Sequence, residues 1–153
     1  MMRETLLGAA AGAAGTAALN AATYADMTWR ARPASQTPEQ TVEKLAEAAD
    51  VQVPGQGDAR SKRLSALGAL SGIVTGVGVG ALYGGARALG LRPPIWLGAV
   101  LTAAGALAGS NGPMAILGVT DPRSWSTTDW LSDVVPHLAY GVVTATTYAA
   151  GES

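Results

Sequence analysis

The sequence predicts an all-α fold, an integral membrane bundle of four transmembrane helices with a short amphipathic helix in the first connection. Three observations predict it. Five glycines, Gly68, Gly72, Gly76, Gly80 and Gly84, recur every four residues in one apolar stretch. Charged residues make up only 14% of the chain, against about a quarter in a soluble domain, and they lie mostly between long apolar runs. Tryptophans and cations gather at the ends of those runs, as they do at membrane–water boundaries. The 153 residues suffice for a single membrane domain, 1–153. Ala and Gly carry much of the apolar content and Phe is absent, so every span is weakly hydrophobic and mean hydropathy is only +0.23.

The first span is expected at 5–27, between Arg3-Glu4 and the segment Trp29-Arg30-Ala31-Arg32-Pro33. A secretory signal peptide is the rival reading, because Ala-rich stretches offer small-residue cleavage sites; Gly8, Gly12 and Gly15 dilute the apolar region that such a signal needs. Gly8, Gly12, Thr16 and Asn20 repeat the four-residue spacing and so are suited to face the second span.

A polar connection, 30–63, follows. Thr37-Pro38-Glu39-Gln40 reads as a helix start with Thr37 as N-cap, Pro38 in the first position and Gln40 closing a capping box. Val42, Leu45, Ala46 and Ala49 then share one face and Glu39, Glu43 and Glu47 another, which predicts a short amphipathic helix on the membrane surface or against the bundle. Pro54-Gly55-Gln56-Gly57 is a loop.

The second span, 64–89, carries the glycine row. On a helix these positions form a groove free of side chains, costly in water at about 1 kcal/mol per Gly but suited to close helix packing in a bilayer. The groove accepts either the first span of the same chain or, in a homo-oligomer, a neighbouring subunit. The third span, 95–119, meets Ser110-Asn111-Gly112-Pro113, and Pro113 is expected to kink or break it. The fourth is expected at 129–150. Arg30, Arg32, Lys44, Arg60, Lys62, Arg63 and Arg123 fall in the first and third connections, against Arg3, Arg87 and Arg92 on the other side, so the positive-inside rule puts both termini outside the cell.

Composition excludes several chemistries. Without Cys there are no disulfides or thiolate sites, and one His forbids multi-His zinc motifs. A net charge of -1 and a pI near 5.7 give no footprint for nucleic acid. No cofactor or metal is expected; the bilayer is the expected partner. The candidate polar site is Asn20, Asn111, Asp129, Asp133 and His137. Asp129, Asp133 and His137 stack on one helix face at four-residue spacing, and an ionisable group two turns inside a span points to function. Two carboxylates and an imidazole could bind a divalent ion or pass protons; alternatively Asp129 caps the helix, His137 bonds a neighbouring helix and Asn20 cements packing. Asn111 at the Pro113 break could line a polar cavity with His137. Asp26 precedes Arg30 by one turn, as in an ion pair.

Gly118, Thr120 and Pro122, followed by Asp133 and His137, resemble the C-terminal part of YagU-like bacterial inner-membrane proteins, where a Gly-x-Thr-x-Pro turn precedes an acidic residue and an intramembrane His. The resemblance implies a multi-pass protein of the bacterial inner membrane and no assigned activity. The leading expectation is therefore a packing or assembly role without enzymatic activity. The alternative is a small channel or transporter for protons, ions or a small solute past Asn111, Asp133 and His137. An enzyme ranks third, because Ser71 and Ser110 would need His137 brought within hydrogen-bond reach from another helix.

Overall fold

The long apolar runs fold as helices. The computed structural model describes residues 1–152 and holds α1 (Met2–Arg30), α2 (Thr37–Ala48), α3 (Gly57–Ala88), α4 (Ile95–Ile116), a short 3₁₀ turn at Pro122–Ser124 and α5 (Thr127–Glu152). No strand occurs among the described residues. Among the described residues, α3 and α4 alone are both long and apolar enough to cross a membrane on length and composition. α1 and α5 have the length, but Ala, Gly and Thr dilute their hydropathy.

The four long helices form an antiparallel ring in the order α1, α3, α4, α5, with α5 closing back on α1. α1 meets α3 backbone to backbone. A Cβ placed on Gly12 would lie 2.5 Å from the Gly76 carbonyl oxygen, and one on Gly80 would lie 2.6 Å from the Gly12 Cα. Gly8 faces Gly80 and Gly84 in the same way, and Thr16 closes the seam on Gly76. On its other side α1 sets Gly15 against Tyr140 and Thr144 of α5. Gly141 lets α5 approach Ala99 and Ala103 of α4, and Gly98, Gly105 and Gly109 of α4 receive Tyr83, Val79 and Thr75 of α3.

Only part of the glycine row lies in the α1 groove. Gly76, Gly80 and Gly84 do; Gly68 packs under Pro38 of α2, and nothing approaches Gly72 within 4 Å. Helical geometry accounts for the split. Four residues turn an α-helix by about 400°, so each member of the row is rotated roughly 40° from the one before. A straight partner helix therefore meets a few consecutive members and then loses the rest.

The interior is built from small and hydroxyl-bearing residues, with Tyr140 and Tyr148 as the large side chains that are fully buried. Most bulky aliphatics of the long apolar helices point outward, among them Leu67, Leu70, Ile73, Val74 and Leu82 on α3, Val100, Leu101 and Ile116 on α4, and Leu131, Val135, Leu138 and Val142 on α5, while Leu64 is buried. A water-soluble fold buries such residues first. This one does the reverse.

Several local expectations are corrected. Thr37 is the first helical residue of α2 rather than its cap; its backbone N–H donates to Ser35 Oγ at 3.2 Å, and Gln36 occupies the cap position. Of the two placements expected for the apolar face of α2, on the membrane surface or against the bundle, the second does not hold for Leu45 and Ala49, which are exposed; α2 docks through Pro38, buried Thr41 and an Arg60–Glu43 ion pair of 2.5 Å. α4 runs through Pro113 without a break and stops at Ile116, short of residue 119. Pro113 stands three residues from the last residue of the helix, and Leu117 N reaches its carbonyl at 2.9 Å. Gly118, at φ +67°, then turns the chain in the left-handed region that side chains disfavour. α3 begins seven residues before the expected start at Leu64, so Arg60, Lys62 and Arg63 ride on its first turns.

Candidate functional site

The polar groups of α4 and α5 converge at one end of the bundle. Ser110 and Asn111 lie near the C-terminal end of α4, and Asp133 and His137 lie one turn apart in the first half of α5. The antiparallel register sets the two pairs side by side. Asn111 Nδ2 donates to Asp133 Oδ2 at 2.6 Å, and Ser110 Oγ lies 3.3 Å from His137 Nε2. His137 Nδ1 is 2.7 Å from the main-chain oxygen of Asp133 and 3.5 Å from its Oδ1. The His137 side chain is 10% exposed and that of Asp133 23%, so the chain of contacts runs from the bundle end into its interior.

Hydrogen-bond chemistry assigns the tautomer. A carbonyl oxygen only accepts, so Nδ1 carries the proton donated to Asp133 O, and in the neutral imidazole this leaves the Nε2 lone pair facing the Ser110 hydroxyl. That is the contact of a nucleophile with its base. Two features weaken it. Ser110 Oγ also lies 3.0 Å from the Ala106 carbonyl and 3.2 Å from that of Leu107, which compete for its single proton. The Asp133 carboxylate sits beyond hydrogen-bond distance of the imidazole and is held by Asn111, so it does not orient the ring as a triad aspartate does. The arrangement suits a buried polar relay better than acyl transfer.

Asp129 does not join this cluster. Its carboxylate accepts from the Ser126 backbone N–H at 2.9 Å and from the Ser126 hydroxyl at 2.7 Å, a reciprocal cap on α5. Asn20, half-buried on α1, makes no side-chain hydrogen bond among the described residues. Asp26 pairs with Arg30 at 2.9 Å, and also with Arg32 at 2.6 Å, which spacing alone did not suggest. Arg30 Nη2 further donates to Ser132 Oγ at 2.8 Å, tying the end of α1 to α5 beside Asp133. Among the described residues no three His, Cys, Asp or Glu side chains come together as a metal site.

In the α4–α5 connection, Arg123 beside Asp121 holds that exposed carboxyl below the usual carboxylate range. The Trp125 ring N–H donates to Thr120 Oγ1 at 2.7 Å, and the ring packs on Trp130 at 5.0 Å. The contact that the sequence names only as a condition, Ser110 with His137 from another helix, is present at 3.3 Å, and it depends on the α4–α5 register. Tyr140 was missed, although it stands three residues from His137 and so on the same face of α5. No family model, curated protein or solved structure matches the chain.

Proposed function

We propose that this chain is a four-span protein of the bacterial inner membrane whose role is packing or assembly within the bilayer, without enzymatic chemistry. The observation that carries the reading is the inverted interior: mainly glycine, alanine and threonine around two tyrosines inside, and most of the leucine, isoleucine and valine of α3, α4 and α5 outside. Lipid tails accept that outer surface as water does not. Register extends the argument from α3 and α4 to the less apolar helices. If α3 crosses, the α1 segment from Gly8 to Thr16, seated on Gly84 to Gly76, occupies the same depth. α5 carries an aliphatic outer stripe, Leu131, Val135, Leu138 and Val142, suited to lipid. The C-terminal resemblance to YagU-like proteins agrees with the location.

Because the chain has no cysteine, single-cysteine variants report one position each. In intact cells an impermeant maleimide should label Met2→Cys and Leu91→Cys and spare Gln56→Cys. Labelling at Leu91 alone would leave only α3 and α4 crossing. A protein recovered in the soluble fraction would end the membrane reading.

The polar cluster at Ser110, Asn111, Asp133 and His137 favours a second reading, a conduit for protons, ions or a small solute. Liposomes loaded with a pH-sensitive dye should then show flux that falls at least tenfold, about 1.4 kcal/mol in barrier, in His137→Ala with folding intact. Equal flux in that variant would remove His137 as a relay.

A further inference from the structure

At the end of the bundle opposite the His137 cluster, a cavity of about 410 Å³ opens between the start of α1, the end of α3 and the end of α5. Arg3, Glu4, Arg87, Arg92, Tyr148 and Glu152 line it, three guanidinium groups against two carboxylates. Arg92 makes no hydrogen bond or ion pair among the described residues, and Arg3 reaches only the Gly151 carbonyl, at 3.2 Å. Arg87 is the anchor. Its side chain is 13% exposed, it pairs with Glu152, donates to Pro93 O at 3.3 Å and lies 5.4 Å from the Tyr148 ring centre.

Two buried polar atoms here have no partner: Arg87 Nε and the hydroxyl of Tyr148, a residue with 0% exposure. Buried donors without acceptors are rare in folded chains, and two on residues that line one cavity point to a ligand that accepts hydrogen bonds there. The excess positive charge says that the acceptor is an anion, and guanidinium donors match the paired oxygens of a phosphate.

We propose that this cavity binds a phosphate group, carried by a phospholipid headgroup at that membrane face or free in the water. Arg87 Nε and the Tyr148 hydroxyl supply the inner donors, and Arg3 and Arg92 close over the outer oxygens. The site does not require the four-span reading, since inorganic phosphate tests it without a bilayer.

The test uses the full chain in a neutral maltoside detergent, read by native mass spectrometry and thermal melting. Dioleoyl phosphatidylglycerol and inorganic phosphate are the probes, with chloride at equal ionic strength as control. One phosphatidylglycerol should be retained per chain and raise the melting temperature. Arg92→Gln and Tyr148→Phe should each weaken retention about tenfold, the loss of one strong donor. Without ligand, Arg92→Gln should melt as the parent does and Tyr148→Phe no lower, because its hydroxyl has no partner to lose. Protection by inorganic phosphate as well would identify the free anion as the source; protection by the lipid alone would identify the headgroup. Absence of binding to either probe, or binding unchanged in both variants, would overturn the proposal.

Discussion

Gly80→Leu is expected to prevent the bundle from closing, while Gly72→Leu leaves it folded and unchanged in size. The two positions belong to the same row and differ only in what they face. A Cβ on Gly80 already lies 2.6 Å from the Gly12 Cα, and its neighbours there are main chain, which no rotamer change can move aside. Overpacking against flexible side chains costs about 1–3 kcal/mol, and against a rigid helix backbone the cost rises above that range. α1 must then part from α3, and the seam from Gly8 to Thr16 opens with it. Gly72 meets nothing within 4 Å, so a side chain there has room, and exchanging Gly for Leu in a helix gains about 0.8 kcal/mol of propensity in water. Size-exclusion chromatography and thermal melting in detergent read both outcomes. Gly80→Leu that melts like the parent would refute the α1–α3 seam. A change of oligomer size in Gly72→Leu would mean that the free end of the row holds a neighbouring chain.

The contrast between those two glycines also shows what the sequence makes legible. Spacing identifies a groove, because four-residue periodicity is a local property of one helix. How many of its members a partner reaches depends on helix crossing, which is a property of two. The polar cluster divides along the same line. Asn111, Asp133 and His137 stand out because each interrupts an apolar run, whereas the approach of Ser110 to His137 needs the relative register of α4 and α5. Asp129 carries the same spacing signal as Asp133, yet Ser126 claims its carboxylate three residues upstream. Helix ends were misjudged for another reason. Hydropathy marks where lipid would stop, but backbone hydrogen bonding continues through Arg60, Lys62 and Arg63 into the preceding turns of α3. Pro113 predicts a kink or a break on steric grounds; the break does not occur, because those grounds hold in mid-helix and lose force in the last turns.

Tyr140→Ala is expected to destabilise the bundle by about 3–5 kcal/mol, the range for deleting a large buried ring, and Tyr140→Phe by only about 1 kcal/mol. Tyr140 is 1% exposed and stands where α1, α3 and α5 meet: its ring lies against Gly15 and Gly76, and its hydroxyl donates to the Gly76 carbonyl at 2.6 Å. The interior otherwise consists of small residues that leave little side-chain volume to interlock, so one aromatic ring supplies a large share of the packing at this junction. The hydroxyl contributes less, because Gly76 O lies within α3 and serves its helical ladder whether or not Tyr140 bonds it. Interhelical hydrogen bonds measured in membranes average about 0.6 kcal/mol. Denaturant titration in mixed micelles separates the two contributions. If Tyr140→Phe were as damaging as Tyr140→Ala, the hydrogen bond rather than the ring would hold the three helices. The consequence reaches the polar site, since His137 precedes Tyr140 by one turn on the same face of α5. A Tyr140→Ala chain that still folds should therefore lose the 3.3 Å approach of His137 to Ser110 before it loses its helices.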